Sequence, residues 1–461
     1  MSNSRNLRFI TMSAAIGGLL FGYDTAVISG AIGSLTHYFS LSPAEIGWAI
    51  SSALVGCLIG AFISDVISDR FGRKKSMLLA ALLFLACSIG TALPDAFTTF
   101  ILFRIIGGIG VGLASMVVPM YIAEIAPADK RGALVAYNQL AIVIGIVVVY
   151  FVNYFISLQG NTDWNLNEGW RWMFASEAIP SILYLVLVFF IPESPRWLLQ
   201  KNRDNEAVSV LQKFNPTEKI SDLLADISNS LSGKSDKSWR ILLGPNLRRV
   251  MVVGIGLSIF QQITGINAIL YYAPEIFKSF GSDVNASLLE TSILGVTNLI
   301  FTIISIALVD RIGRKPLLNI GSLGMFVSLA VVGYAAYNHI TGMWLLVFLM
   351  LFMGSFSISW GPVVWVLLSE IFPNRVRGLA LSIAVFIQWV ANFVVSQTFP
   401  MLTENTYLKN TFNGAFPYWL FAFFCIAAFF FVSKLVPETK NKTLEQMDDL
   451  WESETKPKNR Q

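Results

Sequence analysis

The sequence has few of the residues that perform redox, metal or acid–base chemistry at neutral pH. Among its 461 residues are 3 cysteines and 2 histidines, and only 13% of the residues are charged. Cys57, Cys87 and Cys425 lie in apolar segments without the spacing of metal ligands, so we expect them to pack as small buried side chains. Walker motifs, metal-binding motifs and nucleophile motifs are missing as well. The sequence therefore predicts a protein that is not an enzyme and that uses neither a metal nor a cofactor.

Apolar residues are abundant instead. They make up 54% of the chain, and the mean hydropathy is +0.62, well above the range of soluble globular domains. About 20 mostly apolar residues are enough for a helix to cross the hydrocarbon core of a bilayer. We therefore expect an all-α membrane protein. The sequence predicts twelve spans, at residues 9–31, 45–66, 76–93, 97–122, 132–156, 171–191, 247–277, 287–309, 316–336, 343–369, 377–400 and 415–436.

The basic residues indicate how these spans are oriented. Lys and Arg cluster in the loops after the second, fourth, sixth, eighth and tenth spans, whereas the opposite loops hold few. Cytoplasmic loops carry the excess of Lys and Arg, so both termini are expected in the cytoplasm. The first span is long and follows a short polar segment, so we expect it to be kept and not cleaved as a signal peptide. The net charge of +4 reflects this topology, and we expect no nucleic-acid partner.

Three motifs occur twice in the chain. DRFGRK at 69–74 returns as DRIGRK at 310–315, EIAPADKRG at 124–132 returns as EIFPNRVRG at 370–378, and PES at 192–194 returns as PET at 437–439. The nearly constant offset predicts two homologous six-helix halves, with a substrate site near the membrane midplane between them. We expect an N-terminal half at 1–191, a cytoplasmic linker with amphipathic helices at 192–246, a C-terminal half at 247–436 and a cytoplasmic tail at 437–461.

The paired motifs, together with three further segments, carry a family resemblance. These segments are PESPRWL at 192–198, QQITGINAILYY at 261–272 and GPVVW at 361–365. As a set they resemble the sugar porter family of the major facilitator superfamily, and within it the bacterial sugar–proton symporters. One departure is visible, because the loop motif of the family has Gly where this chain has Asp65 and, in the second copy, Ile306. Helix contact near Asp65 is therefore expected to differ from the family pattern.

The resemblance implies a function in secondary transport. It implies the major facilitator fold and a monomer in the bacterial inner membrane that imports an aldose, such as D-xylose or D-glucose, with a proton by alternating access. Two alternatives stay open: a sugar uniporter that moves no proton, and a transporter-like sugar sensor. The linker and tail are short for a sensor. The segment 220–231 has apolar residues at helical spacing, which is typical of a small amphipathic helix.

Polar amides in the apolar spans are the candidates for a sugar site. Amide groups both donate and accept hydrogen bonds, as sugar hydroxyls do. On a straight helix Gln262 and Asn267 would lie about 140° apart, so we expect a helix break at Gly265 to bring them to one ligand. Tyr271 shares the face of Asn267, and Trp365 and Trp389 offer flat faces for a pyranose ring. The resemblance implies that sugar is bound by Gln139, Gln261, Gln262, Asn267, Asn298, Trp365 and Gln388. A lone amide that only joins helices is the alternative.

Asp24 is the one charged residue between Phe9 and Ala31, and a carboxylate within a span is a candidate functional group. Arg104 is the one basic residue well inside a span. At 1.5 Å per residue, Asp24 lies about 22 Å along the ascending first span and Arg104 about 10 Å along the descending fourth span, so their depths agree. We expect the two to pair, with Glu177 as a third member. Because burial and Arg104 act in opposite directions on the Asp24 charge, the cluster is a candidate for proton coupling. The alternative is a static pair that joins the two spans.

The repeated loop motifs contain acids and bases in the same order in both halves. We expect these charges to form a cytoplasmic latch that opens when the halves rock, although charges that only anchor the loops are the alternative. The latch residues are Asp69, Arg73, Glu124, Arg131, Asp310, Arg314, Glu370 and Arg377. The glycine-rich segment GGIGVG at 107–112 follows no strand and lies in an apolar helix, so it predicts close helix packing and not a nucleotide site.

Overall fold

The computed structural model describes residues 2–127, 130–214, 245–372 and 376–440, together with 220 and 224. Most of the predicted helix at 220–231 and all of the tail after 440 lie outside the described residues. The twelve predicted spans are confirmed, since twelve helical segments of the described chain are long and apolar enough to cross a membrane. The chain divides into two compact units, Met1–Lys234 and Ser235–Gln461, each described here by itself.

The first unit is built from ten α-helices and one π-helix in its described part. The helices are α1 (Ser2–Tyr38), α2 (Pro43–Phe71), α3 (Arg73–Ala92), α4 (Phe97–Ile125), α5 (Arg131–Ser157), α6 (Thr162–Trp164), α7 (Trp170–Ala175), α8 (Ala178–Phe190), α9 (Pro195–Gln200) and α10 (Asp204–Phe214), with the π-helix at Asn165–Gly169 between α6 and α7.

The second unit has nine α-helices in its described part. They are α11 (Pro245–Ile263), α12 (Ile266–Ser279), α13 (Val284–Ile312), α14 (Arg314–Tyr337), α15 (Trp344–Ile358), α16 (Trp360–Ile371), α17 (Arg377–Thr403), α18 (Thr406–Phe412) and α19 (Phe416–Leu435).

Several helices extend beyond the apolar segments that predict them. The second span is predicted at 45–66, whereas α2 runs from Pro43 to Phe71. At its start Ser42 and Glu45 form a capping box, which satisfies backbone N–H groups that a helix leaves unpaired. At its end the chain turns at Gly72, whose φ of +97° favours glycine. Capping and turn residues therefore end the helix, while the apolar stretch only locates the part inside the bilayer.

Glycines allow the helices of the first unit to approach closely. A Cβ at Gly56 of α2 would overlap the carbonyl of Ile105 in α4, and a Cβ at Gly108 would overlap the carbonyl of Ala53. A Cβ at Gly145 of α5 would likewise overlap a backbone carbonyl of α1. Small residues permit this backbone approach in membrane helices. The glycines of the segment 107–112 pack closely against α2 and α3, so the close helix packing that the sequence predicts is confirmed.

Three spans are interrupted, and two of the interruptions differ from the predicted continuous helices. In the sixth span α7 ends before Ser176, close to Pro180, which cannot donate a backbone hydrogen bond to the Ser176 carbonyl. In the tenth span α15 and α16 meet at Ser359, and Pro362 leaves the Ile358 carbonyl without its helical donor. The hydroxyl of Ser305 donates to that carbonyl at 2.8 Å. The third interruption, in the seventh span, lies at Gly265 as predicted.

Candidate functional site

Asp24 and Arg104 form a buried ion pair in the first unit, as the sequence predicts. Asp24 lies on α1 and Arg104 on α4, and their side chains are 0% and 1% exposed. Arg104 Nη1 donates to Asp24 Oδ1 at 3.0 Å and to the Asp24 backbone carbonyl at 3.2 Å. The guanidinium also lies over the ring of Phe174, 5.7 Å from its centroid. Breaking such a pair from one side leaves an uncompensated buried charge, which costs about 3 to 5 kcal/mol.

Glu177 lies beside this pair, at the break between α7 and α8. Its carboxyl group is buried, and neither oxygen has a hydrogen-bond partner among the described residues. The same holds for Asp24 Oδ2. A carboxylate oxygen of Glu177, one of Asp24 and the sulfur of Cys87 all lie within 4.8 Å of one another. Two carboxylates of like charge at this spacing form a hydrogen bond only when one of them carries a proton.

The electrostatics of this cluster determine what it can bind. Asp24, Glu177 and Cys87 are close enough to hold a metal ion, but the Arg104 guanidinium already contacts Asp24. A second cation beside a buried guanidinium is repelled strongly, because the dielectric constant there is low. One guanidinium and two carboxyl groups are together neutral when they hold one proton. The arrangement therefore fits a proton better than a metal.

Polar amides of the second unit form a connected chain at the break between α11 and α12. Asn267 Nδ2 donates to Gln262 Oε1 at 2.6 Å, and Gln262 Nε2 donates to Gln261 Oε1 at 3.3 Å. Gln261 Nε2 in turn donates to the Trp360 carbonyl at 2.9 Å, at the start of α16. The break therefore brings Gln262 and Asn267 together, as the sequence predicts. Each amide holds the next in a fixed orientation. The hydrogen bonds between them therefore determine which amide donors and acceptors stay available to a ligand.

Gly265 makes this break possible. Its φ is +92°, in the left-handed region that favours glycine. A Cβ at this position would also overlap the ring of Phe421 on α19. Two separate features, the backbone conformation and the close ring, therefore require glycine here.

Asn298 on α13 is oriented by two hydroxyl groups. Ser357 Oγ lies 2.8 Å and Thr302 Oγ1 lies 3.3 Å from Asn298 Oδ1. Because the amide oxygen is engaged, the amide nitrogen is the group left to donate to a ligand. Ser357 was missed from the sequence, since a lone serine in an apolar span carries no signal of its partner.

The remaining predicted sugar contacts differ in how far their side chains are exposed. Trp365 on α16 is 40% exposed, Gln388 on α17 is buried, and Trp389 beside it is half-buried. Gln388 Oε1 is buried without a hydrogen-bond partner in the described part of the chain, so this acceptor is available. Tyr271 on α12 is buried at 5% exposure. Gln139, which is half-buried on α5, is the one member of the set in the first unit.

Arg73 is the centre of a charged network in the first unit. It donates to both oxygens of Glu124 at 3.0 Å and to Asp69 at 3.1 Å. The carboxylate of Glu193 accepts hydrogen bonds from the backbone N–H groups of Arg73 and Lys74 at the start of α3. Burial raises the pKa of the Glu193 carboxyl, and these backbone donors oppose the shift.

The second unit repeats this network. Arg314 pairs with Glu370 at 2.9 Å and with Asp310 at 3.0 Å, and Glu438 accepts from the backbone N–H groups of Arg314 and Lys315. Gly72 and Gly313, which precede the two arginines, have φ values of +97° and +104°. The order of acid, base and glycine is thus required by one local structure that occurs once in each unit.

These ion pairs join residues of the same unit, whereas the predicted latch requires the charges to respond when the two halves rock. Each arginine contacts acids of its own repeat because the turn at glycine directs it toward them. Arg131 is exposed and makes no ion pair with the described acids. Arg377 donates to the Phe372 carbonyl at 3.2 Å. A latch function of the eight residues stays a prediction.

Comparison with known proteins gives consistent results over the whole chain. Residues 10–451 match the family described as sugar (and other) transporters. The D-xylose-proton symporter of Escherichia coli is 46% identical, over 98% of this chain and 97% of that protein. The arabinose-proton symporter of Bacillus subtilis is 42% identical, over 96% and 94%. A solved structure of the xylose transporter XylE from E. coli superposes with a TM-score of 0.85 at 44% identity, covering 96% of this chain and 100% of that one. The chain therefore belongs to the sugar (and other) transporter family and has the major facilitator fold.

Proposed function

We propose that this protein imports a monosaccharide together with a proton. The observation that carries the proposal is the buried cluster of Asp24, Arg104 and Glu177, which holds two carboxyl groups against one guanidinium. A uniporter has no need of an ionisable group whose desolvation is so costly. The relatives that are 46% and 42% identical are named as proton symporters of D-xylose and arabinose, which supports an aldose as the substrate.

The amide cluster of the second unit is the centre of the proposed sugar site. Gln261, Gln262 and Asn267 are held by each other, so they present donors and acceptors in fixed directions. The unpaired Oε1 of Gln388 accepts from a sugar hydroxyl, and the partly exposed face of Trp365 packs against the C–H face of the ring. The further proposed contacts are Gln139, Tyr271, Asn298 and Trp389.

The proton is carried by Asp24 and Glu177. With one proton the cluster is neutral and therefore stable in a closed, dry state. When water reaches the cluster, the desolvation that opposes the second negative charge falls, and the proton leaves. The access of water to the cluster thereby determines whether the proton is held. This relation is what a symporter requires, since the same conformational change exposes and releases the sugar.

The remaining properties follow from the same function. The protein acts as a monomer in the inner membrane. Both of its termini lie in the cytoplasm, an orientation that the distribution of Lys and Arg supports. It performs no covalent chemistry and needs no cofactor. The charged networks around Arg73 and Arg314 stabilise the cytoplasmic loops, and their opening accompanies the rocking of the halves.

The test is sugar accumulation in vesicles under an imposed proton gradient, with a sodium gradient as the control. The wild type accumulates labelled D-xylose or D-glucose against its gradient when protons drive it. Asp24→Asn keeps the size and hydrogen bonding of the side chain but removes its titration, so accumulation is lost while sugar binding and counterflow remain. Asp163→Asn, which changes an exposed aspartate of α6, behaves as wild type.

Three results would contradict the proposal. Full accumulation by Asp24→Asn would remove Asp24 from coupling. Equilibration without accumulation by the wild type would identify a uniporter. Binding of sugar with no uptake in either direction would identify a sensor.

A further inference from the structure

We propose that Cys87 is a positioning residue of the proton-coupling cluster, whose thiol stabilises the ionised form of Asp24. The inference rests on the proposed proton symport. Cys87 lies on α3, a helix that otherwise contributes no side chain to the cluster among the residues described above. Its sulfur donates to Asp24 Oδ1 at 3.5 Å, and the residue is fully buried. The sequence alone indicates only a small packed side chain at this position.

The two oxygens of Asp24 differ in their contacts. Oδ1 accepts from Arg104 Nη1 at 3.0 Å and from the Cys87 thiol, while Oδ2 is buried and has no partner in the described part of the chain. Both donors engage the same oxygen, so they hold the carboxylate in one orientation. Oδ2 is then the oxygen that remains for the proton, with Glu177 close by. Cys87 thus helps to make the two oxygens of Asp24 different. Two donors hold Oδ1 in place, while Oδ2 is the oxygen that gains and loses the proton.

The neighbouring helix leaves space for this thiol. A Cβ at Gly107 of α4 would overlap Cys87 Sγ and would lie 3.3 Å from Asp24 Oδ1. Glycine at 107 therefore lets the sulfur reach the carboxylate. A thiol also suits the position because it is a weak donor that competes little with the helix, whereas a serine hydroxyl in a helix tends to donate to the carbonyl four residues earlier.

The direction of the effect follows from the charge state that the thiol favours. Removal of a donor to the ionised carboxylate favours the protonated form, so Asp24 keeps its proton to higher pH. The other groups that face the cluster are Arg104 from α4, Glu177 from the α7–α8 break and the second buried thiol, Cys57, from α2. None of them is changed by a substitution at Cys87. A weak S–H donor corresponds to a shift of about half a pH unit in the pH dependence of uptake.

The experiment measures proton-driven sugar uptake against external pH, with counterflow as a second readout. In Cys87→Ala the alkaline limb of the profile moves to higher pH by about half a unit, while counterflow, which needs no net proton movement, stays at the wild-type rate. Cys57→Ala is the matched control, because it removes an equally buried thiol that makes no hydrogen bond to Asp24.

The outcomes separate this inference from the proposed function. A wild-type protein that fails to accumulate sugar under a proton gradient would contradict proton symport itself. Proton-driven uptake by the wild type with an identical pH profile in Cys87→Ala would overturn the role of Cys87 and leave symport intact. An equal shift in Cys57→Ala would also overturn it, because the effect would then come from altered packing. Loss of counterflow in Cys87→Ala would show a structural role only.

Discussion

Asn267 donates an amide hydrogen to Gln262 across 2.6 Å, although five positions separate the two residues in the chain. On an uninterrupted helix they would lie about 140° apart. The chain breaks between them, after Ile263, and Gly265 caps the start of α12, so the side chains of Gln262 on α11 and Asn267 on α12 come into contact. The strongest sequence signal for a sugar site thus corresponds to a specific local structure.

Replacement of Gln262 by Ala removes the middle of the amide chain. We expect sugar affinity to fall by about 1 kcal/mol or more, because the contact itself is lost and Asn267 and Gln261 lose their common partner. Isothermal titration in detergent measures this change. Gln159→Ala, an exposed glutamine at the end of α5, is the control with unchanged affinity. Equal affinities for both variants would place the sugar elsewhere.

Replacement of Gly265 by Ala tests the helix break. The left-handed backbone costs about 1 kcal/mol or more with a Cβ, and the Cβ also overlaps Phe421. We expect a lower melting temperature and weaker sugar binding. Gly414→Ala is the matched variant, since Gly414 has a φ of +82° and open space around its Cβ position. It carries the backbone cost without the clash and keeps wild-type sugar affinity. A Gly265→Ala protein that binds sugar as well as Gly414→Ala does would contradict the role of the break.

Replacement of Trp365 by Ala removes the proposed stacking face for the sugar. Trp365 is 40% exposed, so folding is expected to be little affected, while sugar affinity falls by about 1 kcal/mol. Binding of the sugar, measured together with the melting temperature, separates the two effects. Trp172→Ala, at a tryptophan that is 60% exposed in the first unit, is expected to leave affinity unchanged. The stacking contact is refuted by a Trp365→Ala protein with wild-type affinity.

Glu193 gives the stability of the first unit a pH dependence. Burial raises its pKa above the ordinary value of 4.5, so the folded state holds the proton to higher pH than the unfolded state does. Its ionisation is therefore unfavourable to folding, and stability decreases as the pH rises through the window that begins near 4.5. In Glu193→Gln this part of the pH dependence disappears. Melting temperatures measured from about pH 4 to about pH 7 test the prediction, with Glu438→Gln as the equivalent change in the second unit. A wild-type slope retained in Glu193→Gln would assign the dependence to another group.

Glu370 and Arg131 both test the latch prediction. Glu370 belongs to the charged network of the second unit, whereas Arg131 is exposed and makes no ion pair with the described acids. Glu370→Ala leaves the nearly buried Arg314 without its partner across the network, so we expect lower stability and a biased exchange between states, with little change in sugar affinity. Arg131→Ala changes an exposed side chain and is expected to have a smaller effect. Labelling of single cysteines on the two membrane faces reports the bias. Wild-type labelling and transport in both variants would reduce these charges to loop anchors.

The sequence by itself determined the number of spans, the internal repeat and the pairing of Asp24 with Arg104. These features depend on local composition and on depth along a helix, and both can be inferred from the amino-acid sequence. Residues such as Asp24 stand out because a charge in an apolar run is costly, and its partner must lie at the same depth. The break at Gly265 could be predicted because glycine and two polar amides occur together.

Tertiary structure decided which side chains meet across helices. The contact of Cys87 with Asp24 depends on how α3 is rotated about its axis and on the space left by Gly107, and an apolar helix gives no periodic signal of either. The same reason explains why Ser357 was missed and why Arg73 and Arg314 pair within their own units. The sequence of a uniformly apolar span indicates that the span lies in lipid. The contacts that each of its faces makes depend on how the neighbouring helices pack against it.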